Sequence, residues 1–333
     1  MINSLLIAFK GMAMGMAEVV PGVSGGTIAF ITNIYERLLN AIKSVGPSAV
    51  TAFKRDGLAG LWAHIDGTFL VTLLGGMFVG IVVGVFGISH LLVAYPEVLW
   101  AFFFGLIVAS ALYIGKQVTR WSAGSIVLLL VGAGIAYYIS IAAPAQGTEA
   151  LWYVFVCGMV AISALILPGI SGSFILLLMG MYTYVVPMVK EFLKTFSTEA
   201  LSVVVVFGLG CLTGLLTFSR ILSWTFNNYR NATLALLTGF MIGSLNKIWP
   251  WRHATEWLRD PKTGEFVLDD EGLRRTILEE NVLPGAYEGN PYLIAAILAA
   301  IGGFLLVFLL EKLDDREETA PAVIQDDILD SNV

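Results

Sequence analysis

The chain has 333 residues, of which 57% are hydrophobic and only 13% charged, and its mean hydropathy is +0.81. A water-soluble domain of this size cannot bury so much apolar surface, so an integral, polytopic membrane protein is expected. The net charge of −6 is confined to residues 311–333, with eight acids against two bases; the remainder balances at 17 against 17, and no basic patch suits nucleic acid.

In chain order, residues 2–20 form a first apolar segment and 24–42 a second. They are joined by Glu18-Val-Val-Pro-Gly-Val-Ser-Gly-Gly-Thr27. A polar connection over 43–67 comes next, then apolar segments at about 68–92, 98–115 and 124–142. Each of these three is long enough to cross roughly 30 Å of hydrocarbon. The pattern then starts again. Residues 150–167 lead into Leu165-Ile-Leu-Pro-Gly-Ile-Ser-Gly-Ser-Phe174, and 174–189 lead out. Segments at 201–226, 232–248 and 291–311 complete the set. The loop 247–290, with Trp249-Pro-Trp251 and a charged run, is expected to form an outer cap with at least one short amphipathic helix. Residues 313–333 read as an acidic, disordered tail.

The two turns match at an offset of 147: Pro21 with Pro168, Gly22 with Gly169, Ser24 with Ser171 and Gly25 with Gly172. Later segments match at an offset of 134, including Gly76 with Gly210, Gly80 with Gly214, Tyr95 with Tyr229 and Gly105 with Gly239. Two repeats are expected, 1–147 and 148–312, each a re-entrant or fully spanning hairpin plus three crossings. Three is odd, so the second repeat should be inverted relative to the first, a common transporter plan. With both termini cytoplasmic, most Lys and Arg fall inside and the short loops near 93–97 and 143–149 hold none.

Each turn reads as a helix end, a tight polar bend and a new helix start. Pro disfavours helical backbone in the residue before it, and Ser24 and Ser171 are placed to cap the new helix. Backbone N–H groups freed at a helix start suit an anion such as phosphate. The candidate ligand-binding residues are therefore Gly22, Ser24, Gly25, Gly26 and Thr27 in the first turn, and Gly169, Ser171, Gly172 and Ser173 in the second. Arg220 either binds phosphate as a forked donor or snorkels to the inner interface. Glu18 has Leu165 as its counterpart. An acid at that depth costs on the order of 3 kcal/mol, so it either carries a coupling proton, pairs with an arginine, or caps neighbouring backbone. Arg37 is expected at the inner interface, Tyr35 and Tyr182 in aromatic belts, and Asn33 in a helix–helix hydrogen bond. Cys157 and Cys211 lack CxxC spacing, and His64, His90 and His253 lack metal-ligand spacing. No nucleophile constellation or Walker loop is present, and no cofactor is implied.

Gly15-Met-Ala-Glu-Val-Val-Pro-Gly-Val-Ser-Gly-Gly-Thr27 resembles the hallmark of the PopT family of polyprenyl-phosphate transporters, a bacterial membrane family formerly without assigned function. Leu167-Pro-Gly-Ile-Ser-Gly172, Phe218-Ser-Arg220 and Gly243-Ser-Leu-Asn-Lys-Ile-Trp-Pro-Trp251 also resemble family signatures. The resemblance covers about residues 5–312. It implies a flippase of the bacterial cytoplasmic membrane, rather than an enzyme, that returns undecaprenyl phosphate from the outer to the inner leaflet. The anionic head would engage the two turns by alternating access while the prenyl tail stays in lipid. Proton or sodium coupling stays open. Read from the residues alone, opposed helix starts also suit a small-anion channel or exchanger. A membrane enzyme acting on lipid phosphates would need a nucleophile that is not evident.

Overall fold

The computed structural model describes residues 2–20, 23–259, 263–268, 272, 274 and 276–318. Twelve α-helices account for most of it: α1 (Ile2–Glu18), α2 (Gly25–Ile31), α3 (Tyr35–Ser44), α4 (Pro47–His64), α5 (Gly67–Ala94), α6 (Pro96–Lys116), α7 (Ala123–Ile141), α8 (Leu151–Ile166), α9 (Gly172–Leu178), α10 (Tyr182–Thr195), α11 (Thr198–Ser244) and α12 (Leu293–Glu318). The protein is an all-α, polytopic membrane protein. Five described helices, α5, α6, α7, α11 and α12, are long and apolar enough to cross a bilayer. At 47 residues, α11 is about 70 Å long, more than twice the hydrocarbon thickness. It breaks at Tyr229, where the backbone leaves the helical region (φ −138°, ψ 45°). Tyr95, between α5 and α6, has nearly the same backbone angles (φ −145°, ψ 58°). Pro96 forces the first break, whereas the second forms without proline. The two segments expected at 201–226 and 232–248 are thus the two arms of one bent helix.

The stretches after the turns are shorter than expected. Residues 24–42 divide into α2 and α3 at Asn33, and 174–189 divide at Gly180. Both residues sit in the left-handed region, with φ 54° and 69°. They are themselves 147 positions apart, so the second bend repeats like the first. Asn33 therefore lies in a break rather than inside a helix, where its Oδ1 accepts from the Tyr113 hydroxyl at 3.1 Å. A seven-residue helix rises only about 10 Å, so neither α2 nor α9 spans a bilayer by itself; the chain bends by 117° between α9 and α10, as in a broken span or a re-entrant loop. The expected polar connection 43–67 contains α4, started by Pro47 at its first turn and interrupted at Gly57 (φ 66°).

Helix pairs close through glycine. Gly76 and Gly80 of α5 lie against the Ala8 and Met12 backbone of α1, and Gly210 and Gly214 of α11 lie against Phe155 and Met159 of α8. In both pairs the residue numbers rise together, so the helices are parallel. Elsewhere each half packs on the other: Gly105 of α6 meets Ala300 of α12, and Gly239 of α11 meets Leu129 of α7. The reciprocal contacts, Gly303 on Phe102 and Gly132 on Leu236, join the same two helix pairs.

Contacts between loops and helix ends gather the connections on two faces. On the first, Arg37 of α3 pairs with Asp66 before α5 at 2.7 Å and covers the Phe69 ring. There too Lys43 donates to Ser223, Arg230 pairs with Glu36, and Thr119 N donates to Asn231. On the second, Tyr95 meets Tyr292, Asn246 donates to Ser140, and Ala145 N donates to the Leu178 carbonyl. Hence α5 begins on the face where the first arm of α11 ends, and α1 and α8 run inward from opposite faces.

The loop 247–290 forms an antiparallel hairpin, β1 (Arg252–Trp257) with β2 (Thr276–Asn281), and a short 3-10 turn at Pro284–Ala286. This corrects the amphipathic helix expected there. Thr276, Ile277 and the strand pairing outweigh the charged composition that suggested a helix. At the other end α12 continues through Glu318, into the stretch expected as a tail; residues 319–333 lie outside the described residues.

Candidate functional site

The backbone of each turn is placed by the end of α1 or α8 and by the helix after it. Ser24 caps α2: its Oγ accepts from Gly26 N at 3.1 Å. The same hydroxyl lies 3.1 Å from the carbonyls of both Leu165 and Leu167, to which it can donate. Thr27, fully buried, accepts from Gly169 N at 3.2 Å through Oγ1. The Tyr35 hydroxyl donates to the Ile166 carbonyl at 3.2 Å. The two turns therefore touch, although about 140 residues separate them in the chain.

Two glycines make this approach feasible. Any side chain at Gly26 would run into the Ile166 carbonyl. Gly169 adopts φ +84° and lies against Met241 and Ser244 near the end of α11. Ser171 and Ser173 face one another, with their hydroxyl oxygens 3.0 Å apart. Gly172 packs on the Ala161 carbonyl of α8.

Several of the expected anion donors are engaged within the chain. Gly25 N donates to Glu18 Oε1 at 2.7 Å, Gly26 N to Ser24, and Gly169 N to Thr27. The Glu18 carboxylate thus occupies the position at the start of α2 that a ligand anion would take. Of the expected site residues, Ser24, Gly25, Gly26 and Thr27 lie between Glu18 and the backbone of Leu165–Gly169; Ser171, Gly172 and Ser173 follow in the second turn, and Gly22 lies outside the described residues. Arg220 is elsewhere. Its guanidinium donates to the carbonyls of Leu216 and Val45, on the first face. Tyr35 is buried against Phe30 and Phe226, which corrects its assignment to an aromatic belt.

A small, mostly apolar cleft opens beside the second turn, where Ala136, Ile139, Ile170 and Phe174 line it together with Ser140, Ser171, Ser244 and Lys247. Among the described residues, Lys247 is the only charged group of the lining. Its Nζ donates to Glu279 Oε2 of β2 at 3.1 Å and stands 4.8 Å from the centre of the Phe174 ring. Arg252, nine-tenths buried, donates from Nη1 to the same Glu279 oxygen at 2.6 Å and to the Lys247 carbonyl at 2.9 Å. Its guanidinium stacks on Trp100. Burial makes Lys247 and Arg252 easier to deprotonate, against the pull of Glu279. Burial also opposes ionisation of Glu279, but the two cations prevail and hold its carboxyl below the usual range. Sequence reading passed over Lys247, because Glu279 is 32 residues away on a strand that was not foreseen. The signal available was its position in Gly243–Trp251.

An undecaprenyl phosphate translocase-like family model matches residues 14–266. The chain is similar to the polyprenyl-phosphate transporter of Vibrio cholerae, with 43% identity over 320 residues, covering 95% of this chain and 98% of that protein. It is also similar to the polyprenyl-phosphate transporter of Staphylococcus aureus, with 32% identity over 255 residues, covering 72% of this chain and 84% of the relative. No solved structure matches.

Proposed function

Since the chain belongs to the undecaprenyl phosphate translocase-like family, we propose that it transports polyprenyl phosphate across the bacterial cytoplasmic membrane, returning the phosphate head from the outer to the inner leaflet. The two halves act as inverted repeats, and their re-entrant turns form a gate that opens to one face at a time. The carrying observation is the seam between the turns, where Ser24 and Thr27 bond to the backbone of Leu165, Leu167 and Gly169. Irregular backbone at membrane depth is tolerated where it is buried in protein or lines a cavity. Here it is sealed, as an occluded gate requires. A phosphate head that parts the seam gains the N–H groups now satisfied internally, and an apolar tail is free to remain in lipid.

Glu18 gives the gate a coupling device. Its carboxylate competes with phosphate for Gly25 N. Protonation weakens that acceptor and releases the donor, so a proton and a phosphate head can share one step. The test is leaflet exchange of a short-chain prenyl phosphate in proteoliposomes. The wild-type protein should move it and leave the uncharged prenol in place. Glu18→Gln should keep the protein folded but flatten the dependence of transport on pH. Equal flux of chloride without any lipid movement would replace this reading with an anion channel.

A further inference from the structure

Beyond the two turns, the structure holds a cationic site under the hairpin, and we propose that Lys247 docks the phosphomonoester head as it arrives from the second face, with Glu279 as the internal anion that it displaces. This rests on the transport reading and adds to it a residue and an order of events.

The cleft beside the second turn has one charged lining group and several hydroxyls. Ser244 Oγ donates to the Met241 carbonyl, and Ser140 donates to the Tyr137 carbonyl while accepting from Asn246. Ser171 Oγ faces Ser173 Oγ. Lys247 and Ser171 both line the cleft, so a phosphate oxygen that widens it would meet the ammonium and the Ser171 hydroxyl, which Ser173 backs at 3.0 Å. Ammonium carries three donors, and Lys247 directs one to Glu279. Carboxylate and phosphate both accept charge-assisted bonds from an ammonium, and a phosphate monoester brings more negative charge and three acceptor oxygens.

The arrangement around Glu279 makes the exchange inexpensive. One of its oxygens serves both cations. When Lys247 turns away, Arg252 still neutralises the carboxylate, so no buried charge is stranded. Arg252 itself is committed to Glu279, the Lys247 carbonyl and the Trp100 ring. It is a positioning residue, holding both the acid and the backbone from which the lysine swings. Phe174 lies in the first turn of α9, directly after Ser173, so the ammonium already stands over the second turn. The step from Lys247 to that turn is short.

The test uses the intact protein with two probes, a short-chain prenyl phosphate and inorganic phosphate. Lys247→Gln should raise the prenyl phosphate concentration for half-maximal binding and transport about tenfold or more, and Lys247→Arg should retain most of the affinity. Glu279→Gln, which removes the competing anion, should lower that concentration. A purely structural ion pair predicts the reverse for Glu279→Gln, since both substitutions cut the same contact; matching losses overturn the proposal. So does unchanged half-saturation in Lys247→Gln while wild-type transport persists, an outcome that leaves the transport reading standing. Failure of the wild-type protein to move prenyl phosphate sinks that reading instead. Inorganic phosphate binding that still depends on Lys247 would then identify a free-phosphate site. Competition of inorganic phosphate against bound prenyl phosphate shows that the head group alone is recognised. If Lys247→Gln does not fold, Glu279→Gln decides the matter: a lowered half-saturation beside a near-wild-type Lys247→Arg supports the proposal, and a raised one overturns it.

Discussion

Thr27 shows how much of the seam depends on single atoms. Its hydroxyl accepts from Gly169 N in a position closed to solvent. Valine would fill the same space and leave that donor orphaned, at a cost of about 1–3 kcal/mol. Thr27→Val should therefore lower the thermal unfolding midpoint in detergent, and Thr27→Ser should restore most of it. Equal midpoints for the two would remove the bond from the account. Ser24 was legible as a cap, because a serine and two glycines before an apolar run state that role locally. The partners that Thr27 and Ser24 reach across the chain were not legible, since a contact over more than 140 residues leaves no mark in spacing. Arg220 illustrates the converse. Its charge in an apolar segment marked it either as a phosphate ligand or as an anchor at the interface; its guanidinium donates to the carbonyls of Leu216 and Val45, partners that spacing does not announce.

Among the elements, the long helices were legible because apolar runs of about 20 residues have few alternatives in a bilayer. Their breaks were legible only in part. Proline announces the bend at Tyr95, but nothing so local announces the bend at Tyr229; the match between the two tyrosines at a fixed offset was the available sign. The hairpin was missed because its strands are short, are separated by 18 intervening residues, and carry the charges of a helix surface. Those charges now bear on stability. Burial raises the proton affinity of Glu279, yet Lys247 and Arg252 lower it further than burial raises it. A carboxyl whose value falls on folding stabilises the fold above its unfolded value, and this support is lost as pH drops through the lowered folded value. The cap should therefore loosen in acid, below the ordinary carboxylate range. Fluorescence of Trp249, Trp251 and Trp257 should report it. Glu279→Gln should shrink that acid transition; an undiminished transition would assign it to other groups.

At the scale of the whole molecule, the two halves are locked by reciprocal contacts that survive their exchange: Gly105 on Ala300 with Gly303 on Phe102, and Gly239 on Leu129 with Gly132 on Leu236. These four glycines bind α6 to α12 and α7 to α11, so they tie the long helices into a frame. By contrast α1 runs along α5, and α8 along the first arm of α11, as parallel pairs that carry the turns. In the alternating access proposed above, the pairs α1–α5 and α8–α11 would be the units that move against this frame, each carrying its own turn. Such a division implies an orientation. With the first face cytoplasmic, Lys54 on α4 and Glu288 beside the hairpin lie on opposite sides of the membrane, and Lys54 is exposed while Glu288 is within reach of solvent. In a background without Cys157 and Cys211, an impermeant maleimide applied to intact spheroplasts should label Glu288→Cys at once and Lys54→Cys only after lysis. Labelling of both from one side would place the turns on a common path to a single face, and a phosphate head could then enter and leave the seam without ever crossing the bilayer.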